Sequence, residues 1–263
     1  MLLREEFERY DRLIKIDKIG IEGQIKIKNS SVLIVGAGGL GNPISLYLTA
    51  LGVGRIGIVD GDRVSLSNLG RQILYNTEDI GKEKVLLAKK RLESLNPNVK
   101  IEIYNAWLTD EDTTTQIFKK YNEIIDATDN FETRYLINKT AVKLGKPLFI
   151  GAVGRFVGQV MSVLPGETAC FNCVFPEKEH KTVQLMTGRS LSLGVAGTLV
   201  GIIGSIVANE VLKYILEIGN NFFNKLLIYD SLNNDFSIIN LERNSECKVC
   251  GSLKNKVNKW YIL

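Results

Sequence analysis

One stretch decides the fold of this chain: Val32-Leu33-Ile34-Val35-Gly36-Ala37-Gly38-Gly39-Leu40-Gly41. A short apolar run passes directly into a cluster of glycines, and a second apolar run at residues 55–59 ends in Asp60. This order predicts strand, tight turn, helix and a second strand that ends in an acid, the nucleotide-binding half of a Rossmann-like unit. The glycines let the backbone approach a phosphate, whose charge suits the free N–H groups at a helix start. We therefore predict nucleotide contacts at Gly36, Gly38, Gly39, Gly41 and, for the ribose, Asp60.

The charged residues that follow indicate which nucleotide binds. A dinucleotide site needs glycines and one acid, whereas this chain adds Asp62, the polar block Ser67-Asn68-Leu69-Gly70-Arg71-Gln72, and Lys84. A guanidinium and an ammonium that converge on a glycine loop suit a triphosphate that undergoes transfer chemistry. We therefore predict that Arg71 and Lys84 contact a triphosphate. The alternative is that both are solvated surface charges.

A resemblance to a known family is carried by three motifs: Gly36 to Gly41, Asp60 to Val64 with Ser67 to Gln72, and Asp126-Ala127-Thr128-Asp129-Asn130. They resemble the signature of the ThiF/MoeB/HesA adenylyltransferases, the bacterial relatives of ubiquitin-activating enzymes. The resemblance runs from about Arg9 to Gly251. It implies an ATP site formed by Gly36, Gly38, Gly39, Gly41, Asp60, Asp62, Ser67, Asn68, Arg71, Gln72, Lys84, Asp129 and Asn130.

The resemblance also implies roles for individual side chains. Asp129 follows a predicted strand and corresponds to the family's Mg²⁺ ligand beside the phosphates; the alternative is that it caps the next helix. Arg12 corresponds to an arginine that reaches into the partner subunit's ATP site, which implies a homodimer. Leu13 stands where a glutamine is common in that motif. The catalytic residues implied in this way are Arg12, Arg71, Lys84 and Asp129.

Composition places the chain among ordinary soluble globular proteins. Of 263 residues, 45% are apolar and 24% are charged, and the formal net charge is +4. This mild charge gives no strong case for a nucleic-acid partner. Residues 1–17 are dense with charge, so they do not resemble a secretory signal, and we expect a cytoplasmic protein. The uncharged segment from Leu191 to Ala208 is expected to be a helix buried in the core or a subunit interface, in preference to a membrane helix.

The four cysteines form two C-x-x-C pairs, Cys170 with Cys173 and Cys247 with Cys250. Structural disulfides are rare in a reducing compartment, so the pairs predict one tetrahedral zinc site. Four sulfur ligands leave no position open for water, and the zinc is therefore expected to be structural. The alternative is that the four cysteines are unrelated.

The alternation of strands and helices predicts an α/β protein with a Rossmann-like doubly wound sheet, whose parallel half is extended by antiparallel strands. Helices are predicted at residues 3–28, 42–51, 77–95, 110–121 and 131–144. Strands are predicted at residues 100–104, 123–127, 147–151 and within 151–164, with a hairpin of 226–231 and 236–241. In the 77–95 helix, the side chains predicted to face inward are Val85, Leu86, Ala88 and Leu92.

We expect a single adenylyltransferase domain over residues 1–251. Its expected parts are an N-terminal helical segment at 1–30, an ATP-binding half at 31–150, and a carrier-binding half with the zinc ligands at 151–251. A short tail at 252–263 follows.

The activity implied by the resemblance is ATP-dependent adenylation of the C-terminal Gly-Gly carboxylate of a small β-grasp, ubiquitin-like sulfur-carrier protein, in thiamine or molybdopterin synthesis. In the family, the predicted hairpin at 226–241 helps to bind this carrier. Residues 176–188, with the lone His180, resemble the crossover loop near the carrier's tail, where some members carry a reactive cysteine. Here every cysteine belongs to a C-x-x-C pair and Ser190 lies near that place, which disfavours a covalent thioester or persulfide step.

Three alternatives stay open at the level of sequence. A related enzyme could adenylate a peptide or another carboxylate in natural-product synthesis. An NAD(P)-dependent oxidoreductase shares the glycine turn and Asp60, although hydride transfer does not require Asp62, Arg71, Lys84 or Asp129. A zinc-containing binding module could retain nucleotide affinity without turnover.

Overall fold

A computed structural model describes residues 1–177 and 194–253. The strands are β1 (Ser31–Val35), β2 (Arg55–Val59), β3 (Lys100–Tyr104), β4 (Glu123–Asp126), β5 (Leu148–Gly154), β6 (Val157–Val163), β7 (Lys225–Asp230) and β8 (Asp235–Asn240). They form one eight-stranded sheet in the order β3-β2-β1-β4-β5-β6-β7-β8. The strands predicted from the sequence are therefore present and belong to a single sheet.

The sheet is parallel in its first part and antiparallel in its last part. Strands β3, β2, β1, β4 and β5 are neighbours in parallel, whereas β6, β7 and β8 each join antiparallel. Val35 at the end of β1 pairs with both Val59 and Asp126, so three parallel strands end level with one another. Ligands of open α/β sheets bind outside such carboxyl ends. The predicted fold class is confirmed.

Helices cover both faces of this sheet. They are α1 (Arg4–Arg9), α2 (Asp11–Ile14), α3 (Gly20–Asn29), α4 (Gly41–Ala50), α5 (Lys84–Leu95), α6 (Glu111–Phe118), α7 (Phe131–Leu144), α8 (Phe171–Val174) and α9 (Gly197–Leu216). Successive side chains of a strand point to opposite faces. Accordingly, Leu33 and Ile34 of β1 are both fully buried but belong to two different apolar clusters. The sheet is thus buried on both sides, as the continuous apolar runs of its strands require.

The N-terminal segment, predicted to be helical over residues 3–28, is helical but not continuous. It consists of three helices, α1, α2 and α3. The last of them begins at Gly20, whose φ of +58° interrupts the helical path before it. A left-handed conformation of this kind suits glycine and breaks a continuous helix.

The helix predicted for residues 77–95 is also shorter than expected. A single 3₁₀ turn at Thr77–Asp79 comes first, Gly81 then turns the chain with a φ of +85°, and α5 begins at Lys84. Val85, Ala88 and Leu92 are buried as predicted, but Leu86 is 53% exposed. The inward prediction was wrong for Leu86 because it lies two positions from Ala88, which is about 200° around a helix of 3.6 residues per turn.

The long apolar segment forms α9, with bounds that differ from the predicted 191–208. Residues 191–193 lie outside the described part of the chain, and the helix runs from Gly197 to Leu216. It continues past the expected end because Glu210 is buried with partners. Its carboxylate accepts hydrogen bonds from Ser162 Oγ at 3.1 Å and from the backbone N–H of Phe222 at 2.7 Å. A paired charge of this kind does not end a helix.

Within residues 1–177 and 194–253, α9 is the one helix long and apolar enough to cross a membrane. Half of the apolar part of this helix is buried, and the helix packs against α4, β5 and β6. Its small residues allow this packing: a Cβ atom at Gly204 would lie 2.4 Å from Cγ of Pro43. These are the contacts of a helix in the protein core.

Some predictions fall outside the described residues and stay predictions. They concern most of the loop at 176–188 with His180, the position of Ser190, and the tail from residue 254.

Candidate active site

A cavity of about 730 Å³ opens at the carboxyl ends of the parallel strands. Its lining includes eleven of the predicted nucleotide-binding residues: Gly36, Gly38, Gly39, Asp60, Asp62, Asn68, Arg71, Gln72, Lys84, Asp129 and Asn130. The other two, Gly41 and Ser67, are not part of this lining. Gly41 supports the glycine turn, and the backbone carbonyl of Ser67 accepts a hydrogen bond from Arg71 Nη1 at 2.9 Å. The sequence therefore predicted residues that the fold brings to one place.

The glycine turn is held in shape by close backbone contacts. Gly36 has a φ of +102°, which favours glycine, and a Cβ atom at Gly41 would lie only 2.0 Å from the carbonyl oxygen of Gly36. The next carbonyl, that of Ala37, accepts hydrogen bonds from Asn42 Nδ2 at 2.9 Å and from Tyr75 Oη at 2.8 Å. The turn is therefore rigid before any ligand binds.

Backbone donors remain at the start of α4. In the part of the chain that the structure describes, no acceptor is seen for the N–H groups of Gly38, Gly39 or Leu40. The first N–H groups of a helix have no partner within the helix, and they carry partial positive charge. An anion such as a phosphate oxygen is the partner that this position suits.

Asp60 is buried at the end of β2, beside the glycine turn. Its Oδ2 accepts a hydrogen bond from the N–H of Ala37 at 2.7 Å, and its Oδ1 accepts one from the N–H of Asp62 at 2.8 Å. Burial raises the pKa of Asp60, and it outweighs the opposing attraction of the Lys84 ammonium. Each carboxylate oxygen can accept a further hydrogen bond, so the group can still receive two ribose hydroxyls.

The two predicted cations both line the cavity. Lys84 is 4% exposed, and its ammonium lies 2.6 Å from Oδ2 of Asp62. Burial opposes ionisation of Asp62, but the hydrogen bonds from Lys84 and from the backbone N–H of Arg63, together with the charge of Lys84, lower the pKa of that carboxyl. Arg71 lies next to the glycine turn: its Cδ is 3.8 Å from the point that a Cβ atom of Gly39 would occupy. Positive charge thus flanks the row of backbone donors.

The sequence left open whether Asp129 binds Mg²⁺ or caps the next helix, and the structure assigns the cap to its neighbour Asn130. Asn130, and not Asp129, caps α7, since its Oδ1 accepts a hydrogen bond from the N–H of Thr133 at 2.8 Å. Asp129 is exposed and lines the cavity, and no hydrogen bond or ion pair of its carboxylate is seen among the described residues. A carboxylate without a competing partner is the kind of ligand that Mg²⁺ prefers.

One contributor to the site was missed by sequence reasoning: a buried ion pair beneath the loop that carries Asp129. Arg134 Nε lies 3.0 Å from Oδ2 of Asp126, and Arg134 Nη2 donates to the carbonyls of Thr128 at 2.6 Å and Gly151 at 2.9 Å. The other oxygen of Asp126 accepts from the N–H of Thr128 at 2.9 Å and from its hydroxyl at 2.6 Å. We call this arrangement the Asp126–Arg134 latch. An acid at the end of an apolar strand was its only signal in the sequence.

Trp107 is a second residue that the sequence did not single out. It lies in the connection after β3, lines the cavity and is 61% exposed. A lone tryptophan in a short connection has no pattern that marks it as functional.

The four cysteines meet in one cluster, to which α8 contributes Cys173 and its N-cap residue Cys170. Their sulfur atoms lie within 4.8 Å of one another, with distances of 3.9 Å for Cys170 to Cys173, 3.7 Å for Cys170 to Cys247 and 3.3 Å for Cys173 to Cys250. Zn–S bonds of about 2.3 Å in a tetrahedral site put the sulfurs roughly 3.8 Å apart, so the cluster fits zinc. The alternative of four unrelated cysteines is thereby excluded.

Amide groups complete the surroundings of this cluster. Asn138 Nδ2 lies 3.6 Å from Sγ of Cys170, and Asn172 Nδ2 lies 3.7 Å from Sγ of Cys247. Such donors orient thiolate ligands and offset their charge. The cluster also borders the cavity, since Phe171 and Phe175 follow Cys170 and line the cavity wall.

Arg12 does not lie in the cavity of its own chain. It is exposed on α2 and is absent from the cavity lining. Its predicted role concerns a partner subunit's site and therefore stays a prediction.

Comparison with known proteins identifies the relatives of this chain. Residues 10–249 match the ThiF family. The chain is 46% identical over 253 residues to a sulfur carrier protein adenylyltransferase of Thermus thermophilus, and the match covers 94% of this chain and 92% of that relative. It is 40% identical over 248 residues to the adenylyltransferase and sulfurtransferase MOCS3 of Dictyostelium discoideum, covering 94% of this chain but only 57% of that longer protein.

A solved structure shows the same fold. MccB of E. coli, crystallised with MccA-N7isoASN, matches with a TM-score of 0.79 at 23% identity, over 93% of this chain and 74% of that one.

Proposed function

The chain belongs to the ThiF family and is an adenylyltransferase, and we propose a specific acceptor for it. With ATP, it adenylates the C-terminal Gly-Gly carboxylate of a small ubiquitin-like sulfur-carrier protein. One observation carries the proposal. The level ends of β1, β2 and β4 bring a row of backbone donors, a buried acid and two cations into one cavity. The similarity to a sulfur carrier protein adenylyltransferase supports the choice of acceptor. The oxidoreductase and the binding module that lacks turnover are not retained, because the named relatives are adenylyltransferases.

The reaction is a displacement at the α-phosphorus of ATP. A carboxylate oxygen of the carrier forms a bond to that phosphorus, and the bond from the phosphorus to the bridging oxygen breaks, so that pyrophosphate leaves with the electron pair. The nucleophile is already ionised, so no general base is needed. Catalysis then depends on positioning and on neutralising negative charge, which fixed donors and cations do well in a sheltered site.

The residues of the cavity would share this work. The N–H groups of Gly38 and Gly39 would bind phosphate oxygens, and Asp60 would hold the ribose. Arg71 and Lys84 would offset the negative charge of the triphosphate. Because Lys84 is already fixed by Asp62, it would lose little conformational freedom when the phosphates bind.

A magnesium ion fits Asp129, whose carboxylate has no partner among the residues that the structure describes. Bound Mg²⁺ would supply charge neutralisation and orientation of the phosphates. Asp129 would hold it, and the Asp126–Arg134 latch would fix the loop on which Asp129 stands.

The acceptor would approach along the antiparallel end of the sheet. Strand β8 is an edge strand, and its side chains Phe236, Ile238 and Ile239 are 54%, 55% and 47% exposed. By resemblance to the family, this hairpin would receive the β-grasp carrier, and its tail would extend to the cavity. Thiamine and molybdopterin synthesis both fit such a carrier. We further propose a cytoplasmic homodimer in which Arg12 completes the partner's site.

The test is ATP–pyrophosphate exchange with purified protein and Mg²⁺, with and without candidate Gly-Gly carriers. Exchange that depends on one carrier would support the proposal and identify the pathway. Asp129→Ala and Arg71→Ala should abolish exchange, whereas Asp112→Ala, which removes an exposed carboxylate on α6, should not. Tight ATP binding without exchange for any carrier would refute the proposed reaction, and exchange with a free peptide instead would favour the alternative acceptor.

A further inference from the structure

Trp107 is the largest side chain in the cavity wall without a role in the proposed reaction. It follows β3 in the connection to α6 and is flanked by Ala106 and Leu108, which also line the cavity. Leu108 is 4% exposed and anchors the connection in the apolar core, whereas Trp107 is 61% exposed. Trp107 therefore presents an aromatic surface to the cavity, where a bound ligand would contact it.

The order of the strands shows which part of a nucleotide would reach Trp107. The glycine turn that suits phosphates follows β1, and Asp60, which suits the ribose, follows β2. The next strand outward in the sheet is β3, and Trp107 lies beyond its carboxyl end. Phosphate, ribose and base are joined in that order in a nucleotide. The base must therefore lie beyond Asp60 on the side away from the phosphates, which is the side of Trp107.

Close packing holds the indole next to the ribose position. A Cβ atom at Gly61 would lie 2.7 Å from Nε1, 2.8 Å from Cδ1 and 2.9 Å from Cε2 of Trp107. Only a residue without a side chain leaves room for the ring at this point. Gly61 directly follows Asp60, so the indole is fixed one residue from the carboxylate that suits the ribose.

We propose that Trp107 is the platform on which the base of the bound nucleotide stacks, and that Gly61 makes room for it. The inference rests on the proposed ATP site and adds a base-binding residue to it. Stacking of a base on an aromatic side chain is removed by alanine substitution, and the measured losses correspond to roughly 5- to 150-fold in affinity. Phenylalanine keeps a π-face and should retain most of this effect.

The test uses the intrinsic fluorescence of one tryptophan. The sequence contains two, Trp107 and Trp260, so Trp260→Phe leaves Trp107 as the single emitter. ATP should quench this emission, because the base would cover the indole. Inorganic tripolyphosphate, which carries the charge but no base, should bind without comparable quenching.

Calorimetry then distinguishes the contribution of the base to ATP affinity from that of the phosphates. In the Trp260→Phe background, Trp107→Ala should raise the Kd for ATP at least about fivefold and leave the Kd for tripolyphosphate unchanged. Trp107→Phe should restore most of the affinity for ATP. Gly61→Ala displaces the indole ring without removing it. It should therefore also raise the Kd for ATP, as Trp107→Ala does.

The possible failures can be told apart. An unchanged Kd for ATP in Trp107→Ala would overturn this inference alone. An equal loss for ATP and tripolyphosphate would also overturn it, since the residue would then act on the phosphates or on the fold. Absence of any ATP binding in the Trp260→Phe parent would refute the proposed function and this inference with it.

Discussion

Replacing Arg134 with methionine should destabilise the protein strongly and also impair catalysis. The substitution removes the cation of the Asp126–Arg134 latch while it keeps a long apolar side chain. Asp126 is fully buried, and the guanidinium that it meets is nearly so. The variant would therefore leave a carboxylate in the interior without its counter-ion, directly beneath the loop that carries Asp129.

The magnitude follows from the contacts that are lost. Removal of one partner of a buried ion pair costs about 3–5 kcal/mol. Asp126 would keep its two hydrogen bonds from Thr128, which reduces this figure. The carbonyls of Thr128 and Gly151 would lose their donor, which increases it. We expect a loss of about 4 kcal/mol in the free energy of unfolding. Misplacement of Asp129 should also reduce pyrophosphate exchange by at least about tenfold in the folded fraction.

Urea denaturation followed by circular dichroism measures the loss. The matched control is Lys139→Met on the same helix, where Lys139 forms an exposed ion pair with Glu111 at 2.7 Å. Such surface pairs contribute about 0–1 kcal/mol, so this variant should unfold almost like the parent. The double variant Asp126→Asn with Arg134→Met should recover part of the stability, because no charge then remains buried alone. Equal losses for Arg134→Met and Lys139→Met would refute the reasoning.

Three further predictions concern other parts of the molecule. Burial raises the pKa of Glu123 to about 7 from an ordinary 4.5, so the folded state binds this proton more tightly than the unfolded state. As the pH rises from 4.5 to 7, the free energy of unfolding should fall by up to about 3 kcal/mol. Urea melts of Glu123→Gln should lack this loss. Cys250→Ser should remove most of the bound zinc in elemental analysis and lower the Tm, and a full zinc content would contradict the four-cysteine site. Gly41→Ala should raise the Kd for ATP at least about tenfold in calorimetry, because its Cβ would collide with the Gly36 carbonyl, whereas Gly201→Ala on α9, with nothing within 4 Å, should leave it unchanged.

Much of the site could be predicted from the sequence because its residues stand at the ends of strands. The apolar runs before Gly36, Asp60 and Ala127 predicted three strands, and the parallel pairing of β1 with β2 and β4 follows from the α/β alternation. Residues that end neighbouring parallel strands must meet. Helix α7 has the predicted bounds, and the paired cysteines predicted a cluster in which their sulfurs do lie together.

The parts that could not be predicted depend on tertiary contacts. The pairing of Arg134 with Asp126 spans eight residues across a strand, a loop and a helix, a separation that matches no regular period. The position of Trp107 against Gly61 is a tertiary contact between the connection after β3 and the end of β2, and no motif or repeat in the sequence marks it. The start of α5 at Lys84 depends on the turn at Gly81, whose flanking residues resemble a helix.

The strand directions give the sheet two opposite ends, and these two ends have different practical uses. One end of the strands carries the cavity, the turn between β5 and β6 and the turn between β7 and β8. They lie together because Val157 pairs with both Gly154 and Asp230. The opposite ends of these strands carry connections such as the one before β4, which holds the exposed Lys119. A sensor surface or a bulky reporter attached at Lys119 would leave substrate access open, whereas attachment at Asp235 would obstruct it.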